Sequence, residues 1–437
     1  MVTDTKVERS LPQGVGKFTP GWIVFFSVAT IVLIIGVLAF IYESNQGMVV
    51  TGMANIGTQG GATWGLYVVM VEYFIGVSLA GLVLVAFAFV FDVMSLRPIS
   101  RLAVLLTSVS LIVGLLAVVI DLGNPIRGII NMFLYVRPQS PFFGTFTLVA
   151  VGVLLTSLVF LFLNGRRDAM KLANIDSRLR WFHRIWASGY TDTDAELERH
   201  RRVIFWLSIF VGPLVVIALS TEGLVFGIQV GRPGWFGSLQ GPDFIVLAAA
   251  SGLANLIVLT AIVRRVLDTG TSLVGPIAFK WLGGLLLAAS AATLYFQIVE
   301  LFTLLYATPG AERRLADALM RGPYAWIFWT GFALLILGLV VLVVQAARRT
   351  WGVVPLVIAS VAISTSAVAE RYLTVIPSQT HGMMLPYEPG SYFPTWVEFA
   401  VVAGLFAFGA LAIGLFMKVF PIIPFKRRTE QEVLVDA

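Results

Sequence analysis

Ten stretches of the 437-residue chain are apolar over a length sufficient to cross a bilayer. That feature leaves few folds open. Hydrocarbon offers no partner to backbone N–H and C=O groups, so a spanning segment is either an α-helix or a strand of a closed barrel. Runs of about 20 residues or more without two-residue alternation select helices. The predicted spans are 21–43, 64–92, 100–121, 142–164, 203–229, 243–265, 279–306, 323–346, 352–375 and 396–420. Composition agrees, with 58% hydrophobic and 12% charged residues, where a soluble domain carries about 25% charged. The expected fold is therefore an all-α integral membrane protein. Its ten helices are expected to form two four-helix bundles, helices 2–5 and 6–9, with one flanking helix at each end.

Orientation follows from the Lys/Arg distribution. With the N-terminus inside, 23 of the 30 basic residues fall in inner segments, nine of them in the loop over 165–202. The positive-inside rule then places both termini in the cytoplasm. The expected organisation is a cytoplasmic segment over 1–20, a transmembrane domain over 21–420 with the cytoplasmic loop 165–202, and a cytoplasmic tail over 421–437. The polar residues 1–20, with Lys6, Arg9 and Lys17, do not read as a cleavable signal peptide. The basic loop reads as a solvated connector near anionic lipid. Small residues at helical spacing, Gly76 with Ala80 and Ala248 with Gly252, suit close helix packing.

Ionisable groups inside the spans are costly and mark partners, cavities or ligands. They are Glu72, Asp121, Glu222, Glu300, Glu370 and Arg371, joined by neutral Asn255 and Gln297. Glu72 lies about eight residues into helix 2, roughly 12 Å from its outer end. The other carboxylates fall in the outer thirds of helices 3, 5, 7 and 9. Asp121 as a helix cap and Glu370 as a partner of Arg371 are the plain alternatives. Five carboxylates converging on one side of the membrane fit proton-handling chemistry better. Quinol oxidation and quinone reduction each move two protons with two electrons, and a flat apolar ring with polar oxygens suits an apolar cleft with a few placed polar groups. Glu72, Asp121 and Glu222 are the candidate catalytic residues.

Other chemistries have little support. Cysteine is absent, which excludes cysteine-ligated iron–sulfur clusters in this chain. None of the three histidines, His183, His200 and His381, falls in a span, so no haem is expected, and no metal site is argued. No Gly-rich phosphate motif stands in a strand–helix context, and the charge of +6 needs no nucleic-acid partner.

Three stretches together resemble the NrfD/PsrC family, the quinone-interacting membrane subunits of polysulfide-reductase-like complexes. They are DLGNPIRGIINMFLYVRPQSPFFGTF at 121–146, GRPGWFGSLQGPDFIVLAAASGLA at 231–254, and ERYLTVIPSQTHGMMLPYEPGSYFPTWVEF at 370–399. Ten helices point to the longer branch of that family. The resemblance implies a quinone pocket near the outer face, with menaquinone or ubiquinone as ligand. It also implies an extracytoplasmic four-cluster iron–sulfur partner, further subunits of a membrane oxidoreductase complex, and a multi-pass location in the prokaryotic cytoplasmic membrane. By motif position it adds Asn124 and Arg127, Arg232 and Pro233, and Glu370, Arg371 and His381. Asn124, Arg127, Asn255, Gln297, Glu300, Glu370, Arg371 and His381 are thus the candidate quinone-binding or proton-handling residues. One departure is Ser220-Thr221-Glu222, which puts a carboxyl where the resemblance leads one to expect a histidine. The expected role is a membrane subunit of a quinone-linked respiratory or photosynthetic oxidoreductase rather than a stand-alone enzyme. A proton-coupled secondary transporter and a pure membrane anchor for an iron–sulfur protein remain open.

Overall fold

The computed structural model describes residues 11–55, 64–135, 137, 139–140, 147–267, 274–306, 310–383 and 390–425. Its α-helices, in chain order, are α1 (Pro20–Gln46), α2 (Leu66–Phe89), α3 (Ser100–Asp121), α4 (Pro125–Tyr135), α5 (Thr147–Ala173), α6 (Arg180–Ala187) and α7 (Asp194–Gly227). They continue with α8 (Gln240–Leu267), α9 (Pro276–Tyr306), α10 (Gly310–Met320), α11 (Ala325–Ala347), α12 (Val353–Val375), α13 (Pro377–Thr380) and α14 (Trp396–Val419). The described residues contain no strand. Ten helices have the length and apolar character to cross a membrane, and they match the ten predicted spans. The protein is a multi-pass membrane protein.

Two rings of four helices form the body. α2, α3, α5 and α7 close one ring, and α8, α9, α11 and α12 close the other. The rings meet along α2 against α8 and α12, and along α7 against α8. α1 and α14 pair with each other, and α14 lies against α3, outside both rings. Burial grades accordingly. α2 is almost wholly enclosed, whereas α1 leaves Ile23, Val28, Ile31 and Leu38 more than half exposed as a lipid-facing stripe.

Small residues set the closest approaches. A Cβ on Gly36 of α1 would stand 2.7 Å from the Gly404 Cα of α14, so any side chain there would push the pair apart. A Cβ on Gly81 of α2 would stand 2.1 Å from the Ala103 carbonyl oxygen of α3. Two of the small residues expected to suit close helix packing meet each other, Gly76 of α2 facing Ala248 of α8.

The first and last described residues lie at one end of the bundle, the termini end. Gln13 donates to the Ile423 carbonyl at 2.7 Å, and the Gly16 N–H donates to the Lys418 carbonyl at 2.8 Å. That termini end also holds the stretch predicted as a solvated connector over 165–202, and the structure adds helix to it. α5 runs on to Ala173 and α7 begins at Asp194, so most of the stretch is helical. α6 packs on the C-terminal segment, where the buried His183 ring is 2.8 Å from the Val419 carbonyl. Arg101, fully buried, pairs with Asp168 at 2.7 Å and donates to the carbonyls of Pro421 and Asn164 at 2.6 and 2.8 Å. The stretch is thus mostly helical and docked in part, while Arg178, Arg180, Arg184, Arg199, Arg201 and Arg202 stay exposed. The short helices α4, α10 and α13 lie at the opposite end, which also carries the candidate site.

Candidate functional site

The site is built where the two rings meet, near the α4/α10 end. α2 supplies Glu72, α7 supplies Glu222 and α12 supplies Arg371; all three are buried, at 6%, 2% and 2% exposure. The Glu72 and Glu222 carboxyls lie within hydrogen-bonding reach of each other. No described donor serves either oxygen of Glu222 or the Oε2 of Glu72. Two carboxyls so placed can bond only while a proton is shared between them.

Arg371 completes the group from across the ring interface. Its guanidinium carbon stands 3.8 Å from the Phe244 ring centroid, and its Nη2 makes one long bond, 3.4 Å, to the Phe244 carbonyl. Its Nη1 has no partner. Glu72, Glu222, Asp243 and Glu370 surround it within electrostatic range. None of them makes an ion pair with it inside 4 Å. The predicted neighbours Glu370 and Arg371 therefore do not pair: adjacent helical residues point about 100° apart, and each serves a different ring. Aromatic residues roof the group. Trp64 stacks on Trp235 at 5.5 Å, and Phe226 meets both of them and Phe244 edge-on or tilted at 5.0–5.7 Å.

Glu370 belongs to a second polar group inside the other ring. Gln297 of α9 donates to it at 2.7 Å. Gln297, Glu300 and Glu370 line a cavity of about 110 Å³ closed by Pro233, Trp235 and Leu315. At its edge the Gly234 N–H donates to Glu312 of α10 at 3.0 Å. Burial pushes the Glu312 carboxyl up, against the pull of that N–H.

Asp121 sits elsewhere than with Glu72 and Glu222. It ends α3 beside a third group, built from Glu43 of α1, Tyr67 of α2 and Glu398 of α14. Tyr67 donates to Glu43, and Tyr392 donates to Glu398. Glu398 also accepts from the backbone N–H groups of Gly52 at 2.8 Å and Thr395 at 2.9 Å. Burial, then the Glu398 charge, push the Tyr392 phenol up, so it stays a donor. Sequence reading missed Glu43, Asp243 and Glu398. Thr395 and Glu398 form a capping box, a signal visible three residues apart in the sequence, but one that reads only as a helix start.

The remaining predicted residues scatter. Asn124 caps α4 through the Arg127 N–H at 3.1 Å, and both side chains are exposed. Arg232 lies over Trp235 at 5.8 Å, and the Pro233 carbonyl accepts from Ser378 at 2.6 Å. His381 is 2.9 Å from the Thr380 hydroxyl and packs on Tyr324; burial lowers its pKa. Asn255, midway along α8, donates to Tyr73 at 2.9 Å and Ser364 at 3.0 Å.

Comparison with known proteins gives this arrangement a family. The model of the polysulphide reductase NrfD family matches residues 54–382, which hold all of both rings. The chain belongs to the NrfD family. A selenate reductase subunit of Mesobacillus selenatarsenatis is 26% identical over 424 residues, 93% of this chain and 96% of that protein. The Hdr-like menaquinol oxidoreductase integral membrane subunit of Archaeoglobus fulgidus is 23% identical over 92% of this chain and 93% of that protein. A Halobacterium salinarum protein named as a dimethyl sulfoxide reductase membrane subunit is 32% identical over 60% of this chain. That match spans about half the relative's length, 56%. The NrfD match ends at 382, leaving α14 and most of the Glu398 group outside it, while Glu72, Glu222, Glu300, Glu370 and Arg371 lie within.

Proposed function

We propose that this chain is the quinone-interacting membrane subunit of an oxidoreductase complex in a prokaryotic cytoplasmic membrane. It exchanges electrons with an extracytoplasmic iron–sulfur subunit, and Glu72, Glu222 and Arg371 are its proton-handling centre. The observation that carries the reading is Glu222: a buried carboxyl with two oxygens and no donor, facing a second carboxyl and an arginine with a free Nη1. Natural proteins leave few buried polar atoms unserved, and those they leave mark chemistry or a ligand. The residues fit a quinone on that ground.

Bound quinone, menaquinone or ubiquinone, supplies a two-electron, two-proton couple. The chain's own groups do the rest. Glu72 and Glu222 hold and pass protons, two carboxyls being able to keep one proton between them. The Nη1 of Arg371 offers a donor to an oxygen while its charge steadies whichever carboxyl is ionised. The aromatic roof of Trp64, Trp235 and Phe226 excludes water. Glu300 and Glu370, on the far side of Arg371, extend the acidic line toward Glu312 and the surface. The positive-inside rule supports a cytoplasmic location for the termini end, with 1–20, 165–202 and 421–437, where the basic residues concentrate. The site then faces outward, where α4, with exposed Ile126, Ile130 and Phe133, offers a surface to the iron–sulfur partner. The relatives' names, which include a menaquinol oxidoreductase subunit, support the quinone.

The test uses the native complex purified from membranes. Glu72→Gln and Glu222→Gln should each abolish quinol-driven reduction of the iron–sulfur partner while the subunits still copurify. Full turnover in both variants would sink the assignment.

A further inference from the structure

A second cavity lies apart from the carboxyls. It is a lipid-side groove of about 710 Å³ between the α1–α14 pair and α2, α3 and α8. Its walls are apolar, chiefly Phe74, Val109, Val113, Val258, Phe406 and Ile413. One end is bounded by Thr19, Trp22 and Val266 at the termini end of the bundle, the other by Tyr73 and Asn255. Asn255 and Val266 stand eleven residues apart on α8, about 16 Å of helix. The groove thus runs from one membrane interface to a polar station deep in the bundle. There the Tyr73 hydroxyl meets the Ser364 hydroxyl at 2.6 Å, and the Asn255 amide nitrogen reaches both and the Ser251 carbonyl, which leaves its Oδ1 for a ligand.

An amide and a phenol at the blind end of an apolar groove have nothing to recognise in a phospholipid, whose polar groups stay at the interface and whose chain ends are methyls. They match a molecule with the opposite arrangement: a ring bearing oxygens, drawn inward, and a long hydrocarbon tail reaching back to the interface. We propose that the groove cradles the prenyl tail of a quinone and that Tyr73 and Asn255 hydrogen-bond its ring. This rests on the function proposed above and names how that substrate is held. It also accounts for the two helices outside the rings, since α1 and α14 form one wall. Tyr73 follows Glu72 on α2, and the roughly 100° between adjacent helical residues turns one toward the groove and the other toward Glu222. A single turn of α2 then serves ring and proton from its two sides.

Two measurements on the native complex decide this. The first is photolabelling with an azido-quinone bearing a long prenyl tail. The label should map to α8 and α14 peptides and be displaced by unlabelled long-tailed quinone. The second is kinetics of Gly409→Leu and Val258→Trp, chosen to fill the groove; a Cβ on Gly409 meets Val109 and Val113 at 3.5 Å, an ordinary contact distance. KM for a long-tailed quinol should rise by about tenfold or more, with a single-isoprene analogue turned over as by the unaltered complex. Asn255→Leu should weaken both quinols. Label found outside the groove, or fillers that leave the long-tailed quinol unaffected and displace only copurifying phospholipid, would overturn the proposal. An unaltered complex that oxidises neither quinol would instead refute the quinone function, and this inference with it.

Discussion

Two arginines are buried at opposite ends of this bundle, and they are buried differently. Arg101 has a carboxylate at 2.7 Å, two backbone carbonyls at 2.6 and 2.8 Å and the Phe420 ring at 5.2 Å; only its Nε lacks a partner. Arg371 has one long bond to a carbonyl, a phenyl ring against its face, a vacant Nη1, and four carboxyls that surround it without closing on it. The first charge is neutralised by the fold, with a carboxylate in direct contact and both terminal nitrogens bonded. It ties α3 to α5 and to the C-terminal segment, and only its Nε is left over. The second is held in place by helix packing and left with spare hydrogen-bonding capacity among groups that can trade protons. Burial alone does not tell a structural charge from a working one; saturation does.

The sharpest way to break that contrast is to remove each charge. Arg101→Met strands Asp168 in the interior and should cost about 3–5 kcal/mol, read as a large fall in the unfolding temperature of the purified protein. Adding Asp168→Leu should return most of it. Arg371→Met leaves no carboxylate that had relied on a contact inside 4 Å, so its stability loss should be smaller, while quinol turnover collapses. Equal destabilisation by the two variants would dissolve the distinction.

The next effect is kinetic. Glu72→Gln and Glu222→Gln should each reduce turnover by about 10²-fold or more, the scale of a lost proton-transferring group. Stability should hold or rise, because a neutral amide replaces a buried acid. A variant that loses stability and activity together would move these residues to the structural side of the contrast.

How far the sequence foretells this division depends on what a helix reveals along its axis and what it hides around it. Span positions are legible because apolar length is a one-dimensional property: the span predicted at 100–121 is α3, Ser100–Asp121. The two rings are legible from helix order. Depth is legible too, so Glu72, Glu222, Glu300 and Glu370 fall near one end, as expected. Rotation is not. Asp121 has the right depth but faces α1 and α14, joining Glu43 and Glu398, and no pattern within α3 says so. Arg371 and Glu370 read as a pair because they are adjacent, yet adjacency on a helix turns them to different rings. Glu398 escapes notice because its capping signal explains it fully, and Asp243 because helix first turns often carry acids.

The Glu398 group sharpens the contrast further. It holds three carboxyls, and one oxygen each of Glu43 and Asp121 lacks a donor among the described residues, but Glu398 is served by Tyr392 and two backbone N–H groups. By the saturation argument Glu398 is structural. Glu398→Ala should cost about 1–3 kcal/mol, loosening α14 and the Gly52 turn, with turnover per folded complex retained. Asp121→Asn should do less still. Loss of turnover in folded Glu398→Ala would show that saturation is no guide here.

The smallest effect expected is in pH dependence, and each end of the molecule supplies one group. His183 at the termini end and His381 at the other are both held below the usual imidazole value of 6.5 by burial. A folded state that disfavours the proton binds fewer protons than the unfolded chain, so stability rises with pH across this window. The contribution is complete above about 6.5 and is lost as pH falls from there through the lower folded values. His183 donates through its Nε2 to the Val419 carbonyl and leaves its Nδ1 buried without a partner. His381, half-buried, keeps the Thr380 hydroxyl beside its Nδ1. Protonating His183 therefore forces a charge into a closed site, whereas His381 has a polar neighbour and a path to water. Between about pH 8 and 5, a window that brackets the ordinary imidazole pKa, His183→Asn should flatten the fall in unfolding temperature more than His381→Asn. The reverse order would place the less accommodating imidazole at the end assigned to chemistry.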